Sequence, residues 1–401
     1  MTSLPLTGVR VLECASVIAG PYCSYLLTLL GAETIKIERP SGGDWMRGLG
    51  GDAALDAAGM GSGFLSCNAG KRSVALNLKD PRGVKIAREI AARADVMIEN
   101  WRPGTAARLG VSFEDIKAVN PRIVYCSISG FGQDGPMAPR AAYDHIIQAM
   151  SGIMSVTGTP DTAPSRTGPP IVDYLTALSA AVAILAALRE RDRAEEPQWI
   201  DVGMLDCAVA AMGSIISSHI NGGIPAVPIG NAAASGAPSS GLFQTRTSPL
   251  SIVANTEDQF RALCRVLGRP ELLADPRFRE PALRKQNQDA LRAIIGACLA
   301  ERSAIEWEQA LAAVGVPAGA VRSVPEILDE AQVSVRGLFR RLPVPDQGRD
   351  AFLPAAGFKL NGCGVGPEQG PPVLGADNEA VLAELGYDAT SRRALHRDGI
   401  C

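Results

Sequence analysis

Histidine is nearly missing. There are three in 401 residues, and none stands with carboxylates or thiols at the spacing that holds a metal, which excludes the usual zinc chemistry. The nine cysteines run from Cys14 to Cys401 with no C-x-x-C pair, so neither a disulfide framework nor a zinc site is expected. Cys14 and Cys126 fall in strand-like runs as small apolar residues. Long apolar runs are lacking too. The longest, residues 178–188, is too short to cross a bilayer, and the N-terminus enters residues 6–12 without a basic region before an apolar core. A cytoplasmic protein with no membrane partner is expected. Charge of one sign is also missing: the net charge is −3, with 13 Lys+Arg against 10 Asp+Glu in residues 1–110 and 26 against 32 in the remainder. No basic stripe exists for nucleic acid, but the mildly basic first third allows a local pocket for a polyanionic small molecule.

What is present is a chain with 46% hydrophobic and 20% charged residues, long enough for one large core and a second small one. Strand-like runs at 9–14, 34–38, 73–78, 96–100 and 123–129 alternate with helical patterns at 20–30 and 81–94. The alternation continues with a helix at 174–189, a strand at 199–204 and a helix at 205–217. It predicts an α/β fold: a Rossmann-like large domain with a parallel sheet covered by helices. Residues 221–240, rich in Gly, Ala, Pro and Ser without periodicity, mark a linker between a large domain over 1–220 and a small α+β domain over 241–335. The small domain has capping boxes at Thr256–Gln259 and Ser303–Glu306. Residues 336–401 return to the large domain, with strands at 338–344 and 352–360 and a helix at 378–385.

Gly130-Phe131-Gly132-Gln133-Asp134-Gly135 spells G-x-G-x-x-G after a strand. Pro136 and Pro139 come directly after it, and no acidic strand end stands about 20 positions on, so it reads as a Gly-rich turn and no nicotinamide or flavin site is expected. Arg39, Lys71, Arg72, Arg102 and Arg108 lie near the ends of successive strands, where open α/β sheets bind ligands. They either converge on phosphates or stand as solvated surface charges. Trp101 stacks on a purine or fills core. Asp173, between Pro169-Pro170-Ile171-Val172 and a run of small apolar residues, is either a helix N-cap or a lone nucleophilic carboxylate. Residues 48–63, rich in Gly and Ala, read as a surface loop.

Several segments stand together in a recognisable order: residues 6–12, Ala19-Gly20-Pro21, residues 31–40 from Gly31 to Pro40, Gly43-Asp44 with Arg47, Lys71-Arg72-Ser73, Glu99-Asn100-Trp101-Arg102-Pro103-Gly104 and Ser129-Gly130-Phe131-Gly132-Gln133. In this order the chain resembles the class III coenzyme A transferases, the CaiB/BaiF family, nearly end to end. The resemblance implies two ring-shaped subunits threaded into an interlocked homodimer. It implies a CoA thioester and a small carboxylic acid as substrates, and no tightly bound cofactor or metal. It also implies that Asp173 attacks the acyl-CoA to give an anhydride and then an aspartyl-CoA thioester, with Asp144 beside it. Carried over by position, Val17 and Ala19 line the CoA pocket, Arg39 and Lys71 meet the adenosine phosphates, and Asn100, Trp101 and Arg108 hold the nucleotide. Tyr143 and Met204 flank the pantetheine arm and the thioester. The chain departs from the family at Gly375-Ala376-Asp377-Asn378, at Ala177, and at Gly230 to Gly241, where a glycine run is replaced by Ala and Ser.

Two rival readings share these motifs. An α-methylacyl-CoA racemase-like isomerase needs a base and an acid on opposite faces of the α-carbon, whereas Ala142-Tyr143-Asp144 stands where such enzymes place a His. A non-catalytic CoA-binding paralogue has no use for Asp173.

Overall fold

The computed structural model describes residues 4–191, 193 and 196–401, which fall into two compact units. The larger holds the chain up to Ile153, Thr167–Ser217 and Ala331–Cys401; the smaller holds Met154–Arg166 and Ser218–Glu330.

The larger unit is built on six parallel strands: β1 (Arg10–Cys14), β2 (Glu33–Glu38), β3 (Arg72–Ala75), β4 (Val96–Glu99), β5 (Val124–Ser129) and β6 (Gln198–Gly203), in the order β3-β2-β1-β4-β5-β6. Every residue of β4 and β5 is buried, the mark of central parallel strands covered on both faces. On one face Ile86, Ile90, Val111, Ile116 and Val381 pack against Leu12, Met97 and Tyr125. On the other, Cys23 and Leu27 of helix Ala19–Leu29 meet Ala177, Ala180 and Ile184 of helix Ile171–Arg191 over Val11, Ile98 and Cys126. Small side chains on the second helix allow this close approach. Helix Ile171–Arg191 is also the one described helix long and apolar enough to cross a membrane by length and composition, against the expectation from residues 178–188, and half of that apolar window is buried inside the unit.

Beneath the sheet's carboxyl edge lies a buried ionic cluster. The Lys36 ammonium donates to Glu13 at 2.6 Å and to the Ala15 carbonyl at 2.7 Å, and stands 3.0 Å from Asp44. The Lys71 ammonium donates to Glu13 at 2.7 Å, to the Pro21 carbonyl at 2.8 Å and to Asn68 at 2.9 Å. Burial pushes the Glu13 carboxyl up, but the two ammonium groups outweigh it and hold it below its ordinary range. Nearby, Glu38 takes Arg47 Nε at 2.7 Å and Nη2 at 2.6 Å, and Arg47 Nη1 donates to the Gly59 carbonyl at 3.1 Å. Residues 48–63 are therefore not a plain surface loop: Arg47 ties them down, and Asp52 caps the short helix Ala53–Ala57 within them. At the sheet edge, Asp377 and Asn378 accept from the Ser73 and Ala75 N–H groups at 2.8 Å each, covering β3.

The smaller unit has a three-stranded antiparallel sheet, β7 (Gly241–Gln244), β8 (Pro249–Ile252) and β9 (Ala318–Ala320), under helices Glu257–Val266, Gln288–Leu299 and Ala304–Ala312. Phe260, Leu263, Leu291 and Trp307 fill its core, and both expected capping boxes are present.

Three expectations about domains are corrected. Residues 154–166 leave the large unit for the small one, where the Gly158 carbonyl accepts from Gly230 N–H at 2.7 Å. Residues 221–240 are not a separate linker: Ser239 and Ser240 are buried, and Arg292 donates to the Pro238 and Ser240 carbonyls. The chain re-enters the large unit at Ala331, and its C-terminal strands β10 (Phe339–Pro343) and β11 (Asp350–Pro354) pair with each other rather than joining the six-stranded sheet.

Candidate functional site

The strand order reverses between β1 and β4, and in open parallel sheets the crevice at the carboxyl ends of those two strands is the binding place. Here Asn100 clasps the two ends. Its Oδ1 accepts from Ser16 N–H at 2.9 Å and its Nδ2 donates to the Ser16 carbonyl at 2.7 Å. The next residue, Val17, has φ 74°, a left-handed conformation that a β-branched residue adopts only under constraint. The constraint is Asp44, whose carboxylate oxygens both lie 3.3 Å from the Val17 N–H while Lys36 holds the carboxylate from behind. Helix Ala19–Leu29 then starts against β1. A Cβ at Gly20 would lie 2.4 Å from Ala15 Cβ, so only glycine permits that approach.

Two cavities open there and share Ser16 and Trp101 in their walls. The larger, about 730 Å³, is lined by Arg39, Asn77 and Lys79, by Glu38 and Asp44, whose carboxylates are engaged by Arg47 and Lys36, and by the apolar Leu76, Leu78 and Leu109. The smaller, about 410 Å³, is lined by Val17, Ala19, Asn100, Trp101, Tyr143, Met204 and Asp173. The Trp101 backbone is held by Glu99, which accepts from its main-chain N–H at 2.8 Å; burial pushes the Glu99 carboxyl up to about 7.

Asp173 sits in the first turn of helix Ile171–Arg191 but does not cap it. The cap is Asp144, whose Oδ2 accepts from the N–H groups of Val172 at 2.8 Å and Asp173 at 3.2 Å. Gln148 completes the arrangement, donating to Asp144 Oδ1 at 2.6 Å while accepting from Thr167 N–H at 2.9 Å. Relieved of capping, the Asp173 carboxylate accepts no hydrogen bond among the described residues. It is 8% exposed, and burial, together with repulsion from Asp144, pushes its carboxyl up to about 7. A desolvated carboxylate without hydrogen bonds, on the wall of a cavity joined to one that holds Arg39 and Lys79, has the chemistry that nucleophilic attack on an anionic ligand requires.

The placement of the remaining candidates departs from the sequence-based expectation. Lys71 is buried in the ionic cluster with all three donors engaged, so it does not reach a phosphate. Arg72 is taken by Glu33 and Glu384 at 2.7 Å each. Arg108 is hydrogen-bonded to Thr105 Oγ1 at 2.8 Å and lines a neighbouring hollow with Lys85 and Arg88. Asn100 faces the cavity but has both ends of its amide committed to Ser16, so it shapes the cleft. Asp144 does not line the cavity; it acts through the backbone of Asp173. Lys79, Trp45 and Arg140, which line the two cavities, are not singled out by the sequence. For Lys79 a signal exists: it closes the run after the third strand, where a strand-end cation belongs.

Known proteins point the same way. A family model described as CoA-transferase family III matches residues 6–378. The succinyl-CoA:glutarate CoA-transferase of Mus musculus is 38% identical over 397 residues, 99% of this chain and 90% of that protein. The acetyl-CoA:oxalate CoA-transferase of Acetobacter aceti is 39% identical, over 95% of this chain and 96% of that protein. A crystal structure of a CAIB/BAIF family protein from Brucella suis matches with a TM-score of 0.84 at 32% identity, covering 96% of this chain and 100% of that one.

Proposed function

The chain belongs to CoA-transferase family III and is an enzyme of that class, and from this premise we propose that it moves coenzyme A between carboxylic acids through covalent intermediates on Asp173. The observation that carries the proposal is the buried Asp173 carboxylate, free of hydrogen bonds, on the wall of a cavity that adjoins Arg39 and Lys79 through Trp101. The nucleotide end of an acyl-CoA sits at the cavity that holds Arg39 and Lys79, and its thioester at Asp173.

The cycle balances without a general acid. Asp173 attacks the thioester carbonyl, forming a mixed anhydride and expelling CoA thiolate. The thiolate attacks the Asp173 carbonyl carbon, releasing the donor acid and leaving an aspartyl-CoA thioester. The acceptor carboxylate attacks that thioester to give a second anhydride and thiolate, and the thiolate takes the new acyl group, restoring the Asp173 carboxylate. Asp144 is a positioning residue: it sets the first turn and keeps a negative charge beside the nucleophile. The racemase reading finds no support in the cavity, whose described lining includes no histidine; His145 is exposed and stacked beside Tyr143.

An interlocked homodimer belongs to the same proposal. The exposed apolar side chains Leu178 and Val182, on the helix that carries Asp173, supply a face for a second copy.

The direct test is trapping. Protein incubated with succinyl-CoA and treated with hydroxylamine or borohydride is expected to carry the modification on the peptide containing Asp173. Exchange of the acyl α-proton with no modified peptide would instead support a racemase.

The pH profile is a second expected result. Asp173 attacks only as the carboxylate, so kcat/KM should rise with pH through about 7, where burial places its ionisation, and then level off. Asp144→Asn keeps an oxygen for the two N–H groups but removes the neighbouring charge, which should move this limb to lower pH. An unmoved limb would mean that Asp144 acts on geometry alone.

A further inference from the structure

Gln148 lies four residues after Asp144 on helix Asp144–Ser151, so the two side chains share one face of it. The helix is fixed against the start of the Asp173 helix by Ile147, which packs with Val172, Met204 and Ala208. Gln148 itself is fully buried. A buried primary amide needs partners for its polar atoms, and here the partners allow it a single orientation. The Thr167 N–H can only donate, so it takes the amide oxygen, at 2.9 Å. The Asp144 carboxylate takes the amide nitrogen, at 2.6 Å. A flipped amide would set oxygen against oxygen on one side and N–H against N–H on the other.

Both partners belong to the turn that presents the nucleophile. Thr167 is the first residue of the segment that re-enters the larger unit, and its hydroxyl donates to the Pro169 carbonyl at 3.0 Å, just before the helix begins. Asp144 caps that helix through Oδ2, while Oδ1 is held by Gln148. Three donors therefore converge on Asp144 and, among the described residues, none on Asp173. One amide thus ties the entry of the turn to its cap.

We propose that Gln148 is a positioning residue of the reaction: by joining Thr167 to Asp144 it holds the first turn of helix Ile171–Arg191 in the arrangement that leaves Asp173 without a partner on the cavity wall. It does not touch the substrate. The proposal rests on the transferase reading above and deepens it.

Two variants separate hydrogen bonding from packing. Gln148→Met keeps the length of the side chain and removes both polar partners; it should lower kcat by roughly 10- to 100-fold, the worth of a hydrogen bond to a charged group, with CoA affinity held within about twofold. Gln148→Glu is the sharper probe. As a protonated acid the introduced group accepts from Thr167 and donates to Asp144, as the amide does; once ionised it offers Asp144 no donor and adds a negative charge. Burial and the carboxylates of Asp144 and Asp173 push its ionisation up, while Tyr143, His145, Arg166 and Asp206 around it are exposed. The kcat/KM of Gln148→Glu relative to wild type should therefore stay within a few-fold at about pH 6 and fall by roughly 10-fold or more by about pH 9. Taking the ratio cancels the titration of CoA and of Asp173 itself. A ratio that stays flat overturns the proposal, whatever the fate of Gln148→Met, because space-filling alone has no such signature. So does a loss in Gln148→Met that falls on CoA affinity and spares kcat. Wild-type protein with neither exchange nor an Asp173 adduct would sink the transferase reading itself, whereas wild-type exchange with a flat ratio sinks only the role of Gln148.

Discussion

Asp173→Ala protein is expected to lose CoA exchange by on the order of 10⁴-fold or more, the scale seen when a covalent nucleophile is removed from a cooperating site. The size reflects the lack of a substitute. Among the described residues lining the cavity there is no other carboxylate, no cysteine and no histidine, and Asp144 is turned into the helix terminus. Binding of CoA itself should survive, because Arg39, Lys79 and the Ser16–Asn100 clasp are untouched. The variant also relieves Asp144 of a buried like charge, so it should melt no lower than the parent, apart from any cavity left by the lost side chain. Stopped-assay exchange rates with CoA affinity measured in parallel check this. Exchange near parental rate in a folded Asp173→Ala protein would remove the covalent cycle altogether.

The second large effect concerns stability. Glu13→Gln leaves two buried ammonium groups, Lys36 and Lys71, without the carboxylate they share, and breaking a buried pair on one side typically costs about 3–5 kcal/mol. Asp44, at 3.0 Å, continues to serve Lys36, which places the heavier loss on Lys71. Urea titration of the full chain reads the change as a lower midpoint. The matching variant Lys71→Met should also destabilise, but without a selective loss of CoA affinity, which separates its internal role from a phosphate contact. A cost under about 1 kcal/mol for Glu13→Gln would show the cluster to be energetically idle.

The strands and helices of the sheet are plain in the sequence because each is an apolar run closed by turn residues. The predicted strand at 9–14 is Arg10–Cys14, and the predicted helix at 20–30 is Ala19–Leu29. Asp173 and Trp101 stand out in the sequence with two readings each, the family resemblance chooses between them and adds Val17, Ala19, Tyr143 and Met204, and all six line one cavity. What escapes the sequence is pairing across distance. Nothing local announces that Lys71 meets Glu13, 58 residues away, so a strand-end lysine passes for a phosphate ligand. Nor does the linear pattern show that Asp144 caps a helix 28 residues further on, which leaves Asp173 looking like its own cap. Residues 154–166 have no periodicity to declare which unit they join, and it is contacts across distance, such as the hydrogen bond from Gly230 N–H to the Gly158 carbonyl, that place them.

The closeness of Asp144 to Asp173 has an outcome for the energetics of the cycle. With both groups ionised, the protein confines two negative charges at one helix start, and in the proposed cycle each covalent intermediate on Asp173 erases one of them. In that cycle acylation is a discharge: the ionised free enzyme is lifted relative to its acylated forms, and the electrostatic tension belongs to the moments when no substrate is attached.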